Sequence, residues 1–274
     1  MDLESGTVDD LLRDAQSAGH HATRRLISDW VSVGLLDHPK RRGRGRGAGA
    51  AKALYSGQQR RLFRTLLARR SEVRHIRTLA QIPVFIWMYW GEEYVPLRQA
   101  RRALMTWLGD ARVSKDRARR SARELLGQLD HSRATGDARR TMVNLVAEFA
   151  YTGRVDLTEL RNAVTDVFEP EGKPRALGHP AAALTADAVV TLLEARLKAV
   201  RKLQDNRVTD EQLVQARDAH RLHMAEYVQL QPHFASDSAH AFYGPVTHQT
   251  MFDSCCRDLL TVLGLQITSA RVGV

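Results

Sequence analysis

The stretch Thr7–Leu36, TVDDLLRDAQSAGHHATRRLISDWVSVGLL, decides how this chain is to be read. Val8, Leu11, Leu12 and Ala15 recur at the spacing of one helix face. Thr7, followed by Asp9 and Asp10, sets a capping hydroxyl and two acids at the positive end of that helix. Gly19 closes it. Thr23 then caps a second helix whose apolar residues Leu26, Ile27, Trp30 and Val31 share one side, leaving Arg24, Arg25 and Ser28 on the other. Gly34 suits a left-handed C-cap, after which Leu35 and Leu36 return to the core. Two short helices, a turn and a basic outer side on the second are the pattern of a helix-turn-helix. In that arrangement the second helix enters the major groove, where arginine near its start can pair bidentately with guanine.

Outward from this pair comes KRRGRGRG, residues 40–47, which places Lys40, Arg41, Arg42, Arg44 and Arg46 on a glycine-spaced ribbon. Such a composition also suits a solvated basic linker. Its frame favours a hairpin wing, because a helix C-cap precedes it and Leu54-Tyr55-Ser56 re-enters order after it. A wing of this kind lies along phosphates or in the minor groove, where arginine meets a focused negative potential. Ser56 can cap a third helix, Gly57–Arg69, that buries Leu62, Phe63, Leu66 and Leu67 and exposes Arg60, Arg61 and Arg64. The charge follows the same geography. From His20 to His75 there are 14 Lys and Arg against 3 Asp and Glu, a local +11, whereas the whole chain is +10. All the net positive charge therefore sits on the segment that reads as a DNA reader, as phosphate neutralisation with counterion release requires.

Thr7-Val8-x-x-Leu11, the helix 23–33 closing in Gly34-Leu35-Leu36, the basic turn, and Leu54-Tyr55-Ser56-x-x-Gln59-x-x-Leu62 resemble the DNA-binding domain of the MerR superfamily, whose winged fold excisionases share. The resemblance covers roughly residues 7–70. It implies a winged helix-turn-helix acting as a symmetric dimer on double-stranded DNA. It also places Thr23, Arg25 and Ser28 in the recognition helix, Arg41–Arg46 in the wing and Tyr55 at the wing's exit. In two respects the chain differs from that family: Asp29 stands beside Trp30 where an aromatic pair is common, and the wing is longer and richer in arginine.

Beyond the reader, Ile82–Trp107 is rich in aromatics, with Gly91 as a break and Pro96 near the start of a helix Leu97–Leu108. Arg98, Arg101 and Arg102 are expected on the solvent side of that helix. Residues 112–140 are again basic, with Ala118, Ala122, Leu125, Leu126 and Leu129 as an apolar stripe. Gly109, Gly127 and Gly136 argue against a long coiled coil. Helical patterns follow at 141–151 and 156–168. EPEGKPRALGHP, residues 169–180, reads as the best internal boundary, and helical patterns resume at 185–203, 209–230 and 246–263. The expected organisation is thus a mainly α chain: a winged helix-turn-helix domain with a small β-hairpin at 1–108, a helical connector at 109–168 and an all-α region at 181–274 for dimerisation or for an effector or protein partner.

Several function classes are not expected. The longest apolar stretch, Ile82–Trp90, is far short of the roughly 20 residues of a spanning helix. The acidic start Met1-Asp2-Leu3-Glu4 is unlike a signal peptide, and the adjacent Cys255 and Cys256 read as reduced thiols of a cytoplasmic, nucleoid-associated protein. His220-x-x-His223 has metal-ligand spacing, but no Cys-x-x-Cys or His-Glu-x-x-His accompanies it, so neither a metal nor a cofactor is expected. No catalytic constellation stands out. The functional expectation is a sequence-specific transcriptional regulator, with an excisionase-like directionality or architectural DNA-binding factor as the alternative.

Overall fold

The structure is a computed structural model that describes residues 3–41, 52–73, 75–109, 114–172, 185–230 and 246–269, apart from the side chains of Arg41, Gln128 and Leu230. It is mainly α. The chain divides into two compact units, one of residues 1–109 with 251–256 and one of residues 110–250 with 257–274.

In the first unit, α1 (Val8–Ser17) and α2 (Arg24–Ser32) lead to a two-residue antiparallel pairing of β1 (Lys40–Arg41) with β2 (Ala53–Leu54). Then come α3 (Gly57–Arg70), α4 (Ile76–Trp90) and α5 (Leu97–Leu108). Local chemistry explains the boundaries. The Asp10 carboxylate accepts both the backbone N–H of Thr7 (2.7 Å) and its hydroxyl (2.8 Å), and α1 ends when His20 N–H reaches Ala15 O across left-handed Gly19. Thr23 Oγ1 accepts from Leu26 N–H, and Ser56 Oγ accepts from Gln59 N–H. Gly6 exchanges two backbone hydrogen bonds with Tyr55, which fixes the chain entry beside the exit of β2. The core gathers Leu11, Ile27, Trp30, Leu35, Leu36, Phe63 and Leu66, with the Trp30 and Phe63 rings edge to face at 5.6 Å. From α4, Phe85 meets Phe252 at 5.5 Å, and Gln81 donates to Phe252 O, so residues 251–256 complete this core.

The second unit holds α6 (Lys115–Leu129), α7 (Gly136–Thr152), α8 (Leu157–Phe168), α9 (Ala186–Gln204), α10 (Asp210–Leu230) and the later part of α11 (His248–Ser269). Ser114, Thr135, Asp156 and Thr185 each cap the helix that follows them. One apolar cluster runs from Ala118, Ala122 and Leu129 through Met142, Leu160, Val164 and Phe168 to Ala186, Val189 and Val190. The division expected at 169–180 is therefore corrected, because α6–α8 and α9 share a core across it. The physical reason is burial: Val164, Val167 and Phe168 of α8 belong to the same buried apolar cluster as Ala186, Val189 and Val190 of α9. α11 closes on α9 so tightly that a Cβ on Gly264 would stand 1.9 Å from Ala195 O.

Candidate nucleic-acid interface

The interface starts from the burial of α2. Ile27, Trp30 and Val31 are in the core, so the helix cannot rotate, and Arg24, Arg25, Ser28, Asp29 and Ser32 face outward. Arg25 is more open than Arg24, its side chain 92% exposed against 65%, with the Asp29 carboxylate a loose 3.9 Å away. Arg24 pairs with Asp9 at the start of α1. Exposed pairs of this kind contribute only about 0–1 kcal/mol, so a phosphate or base edge can displace either carboxylate. Thr23 is exposed, with its hydroxyl occupied as the cap of α2. Lys40 is exposed on β1, next to Arg41. Arg42, Arg44 and Arg46, and with them the body of the expected wing, lie outside the described residues. Arg61 and Arg64 are exposed on α3.

Two sequence-derived site residues are corrected. Arg60 is expected on the surface, yet its side chain is only 15% exposed. It clasps Asp14 with Nε and Nη2, both at 2.8 Å, and donates Nη1 to Glu4 O at 2.9 Å. The hydrogen bond to Asp14 raises the Arg60 pKa above its ordinary value against the opposing effect of burial. Arg60 thus braces α1 on α3, and its donors face protein. Tyr55 is 6% exposed, and burial pushes its hydroxyl pKa up, so its ring belongs to the core at the exit of β2.

The solvent face expected for α5 holds at Arg98, whose side chain is 55% exposed, and is corrected at Arg101 and Arg102, which are half-buried. Arg98 grips Asp37 through Nη2 at 2.6 Å and Nε at 3.1 Å, and Arg102 reaches the same carboxylate at 3.3 Å. The Asp37 side chain is only 4% exposed. Burial pushes its pKa up, but hydrogen bonds from Arg98, from the His38 N–H and from Arg102 outweigh this and hold it below the ordinary 3.8. Arg101 is half-buried. Beneath them runs a buried relay that the sequence reading missed. Asp37 N–H donates to Gln59 Oε1 (2.8 Å), Gln59 Nε2 donates to Gln99 Oε1 (2.7 Å), and Gln99 Nε2 donates to Leu35 O (3.0 Å). It locks the turn after α2 onto α3 and α5. The available signal was polarity out of register: Asp14 falls on the apolar face with Leu11 and Ala15, and Gln59 on the face with Leu62, Phe63 and Leu66.

Elsewhere, His220 is buried on α10; desolvation pushes its pKa down, Asp258 counters and His223 reinforces the fall. Among the described residues no group of three or more His, Cys, Asp or Glu is placed to hold a metal ion, and no helix is long and apolar enough to cross a membrane. No family model matches the chain, and no curated protein or solved structure matches it.

Proposed function

We propose that this chain binds double-stranded DNA through α2 and the basic segment 40–47, and that it works as a sequence-specific transcriptional regulator. The observation that carries the reading is the fixed rotation of α2: its apolar side is buried, so Arg24, Arg25 and Ser28 stand outward at its N-terminal end. That is where a recognition helix meets base edges. The pairing of Lys40–Arg41 with Ala53–Leu54 brackets the arginine-glycine segment, which supports its role as a wing on the backbone or in the minor groove. A homodimer on two half-sites completes the reading, with the second unit available for self-association, an effector or a protein partner.

One observation favours the second reading, an excisionase-like architectural factor: the segment KRRGRGRG is built for backbone contacts more than for base readout. The two differ in the DNA itself. A regulator protects one pair of half-sites, whereas an architectural factor bends its site and spreads along it. The test common to both is salt. With about five phosphates neutralised per chain, the log–log slope of affinity against salt is expected at roughly −4 to −5. A slope near zero would overturn DNA binding altogether.

A further inference from the structure

We infer that the exposed face of α6 is a second DNA-contacting surface, in which Lys115, Arg119, Arg120 and Arg123 take the phosphate backbone of a duplex. The inference rests on the reading of DNA as the partner, but not on α2 being the reader.

The rotation of α6 is set by Ala118, Ala122 and Leu129, which are buried in the apolar cluster of the second unit. Its other side carries Lys115, Asp116, Arg119, Arg120, Arg123 and Glu124, all exposed. Over Lys115–Leu129 five Lys and Arg stand against two acids, a local +3 on one helix. Lys115, Arg119 and Arg123 follow one another at i, i+4 and i+8, so each has a like charge one turn away. Such pairs weaken a helix where opposite charges would strengthen it.

Five exposed or half-buried arginines on other helices each have a carboxylate close by. Arg13 pairs with Asp10, Arg69 with Glu72, Arg139 with Asp130, Arg140 with Asp137 and Arg161 with Asp187. On α6, among the described residues, no carboxylate lies within ion-pair distance of Arg119, Arg120 or Arg123, although Asp116 and Glu124 share their face. Lys115 leans instead towards the ring of exposed Tyr151, 5.7 Å from its centroid. Asp116 and Glu124 offset only part of the positive charge of this face, and the remaining net charge suits a polyanion, since a phosphate backbone offers the repeated charges that a stripe of this length matches.

The test uses the full chain carrying Arg119→Gln, Arg120→Gln and Arg123→Gln together, beside native protein and Arg25→Ala, with duplex affinity followed from about 50 to 200 mM salt. Loss of three phosphate contacts makes the salt slope shallower by roughly 2–3. The thermal midpoint of the free triple variant stays close to the native one, because the like-charge spacings 115/119 and 119/123 and the opposite-charge spacings 116/120 and 120/124 are lost together. A lower midpoint with an unchanged slope would mean the arginines serve the helix alone, and would overturn the proposal. If Arg25→Ala weakens binding while the triple variant keeps the native slope, the proposal falls and the α2 reading stands; the reverse result supports the proposal and removes α2 as reader. Absence of duplex binding by native protein sinks both. Phosphatidylcholine vesicles containing phosphatidylserine form the last arm: native binding to them that the triple variant loses, with an unchanged DNA slope, would assign the stripe to a lipid surface and overturn the proposal.

Discussion

At the scale of single residues, the arginines of the first unit divide by what they touch. Arg25 is open to solvent, whereas Arg60 and Arg98 are committed to Asp14 and Asp37. Arg25→Ala is expected to cost about 1–3 kcal/mol on a cognate site and to relax base preference there, while Arg44→Ala weakens cognate and random duplexes alike. Competition binding against random DNA separates them, and equal losses at both positions would show that α2 is not the reader. Asp37 supplies a stability prediction. Its folded pKa lies below the ordinary 3.8, so its contribution is fully present above about pH 4 and is lost as pH falls through the folded value. Asp37→Asn should therefore lower stability at neutral pH by about 1–3 kcal/mol and flatten the acid limb of the unfolding curve. An equally steep acid limb in the variant would assign that sensitivity to other carboxylates.

At the scale of elements, the two left-handed glycines that end α1 and α2 are not equivalent. Gly19 has φ +74° and nothing within 4 Å of a would-be Cβ, whereas Gly34 has φ +79° and would place that atom 2.4 Å from Ala103 N. Gly19→Ala meets only backbone strain, about 1–2 kcal/mol. Gly34→Ala adds a clash with the backbone of α5 and should cost at least about 1–3 kcal/mol more, with α5 displaced from the turn after α2. Urea unfolding of the two variants, compared at constant slope, measures the difference; equal losses would mean that α5 yields freely. The end of α2 was legible because glycine after an apolar run is a local signal. That α5 is what rests on it was not legible, since 68 residues or more separate Gly34 from the backbone it meets.

At the scale of the molecule, one apolar cluster joins α6–α8 to α9 across residues 169–180. A chain ending at Glu169 is expected to lose the cooperative unfolding of the second unit and to bind an apolar dye through bared Leu160, Val164 and Phe168. A truncation that unfolds as sharply as the intact chain and binds no dye would show that α9 is dispensable to the core. Self-association is then a question for intact protein. Sedimentation equilibrium should give a dimer, and dimerisation should tighten binding to paired half-sites through effective concentration. A monomer at all concentrations, binding single half-sites as well as paired ones, would remove the symmetric-dimer reading.

Local chemistry written in consecutive residues settled much of this by itself. Thr7, Thr23, Ser56 and Thr185 mark helix starts, the 3.6-residue spacing of Ile27, Trp30 and Val31 fixes which side of α2 is buried, and the run 40–47 concentrates charge. Each of these signals lies within a few consecutive residues, so reading it needs no knowledge of a tertiary contact. The tertiary structure alone decided which charges remain outside. Arg60 and Arg61 are neighbours with the same propensities, yet one turns inward because Asp14, 46 residues away, offers a carboxylate in a half-dry site. Likewise Arg98 meets Asp37 across 61 residues, and Phe85 meets Phe252 only when the chain returns to the first unit. A charge's partner is set by distance in space, which the spacing of a helix face cannot encode.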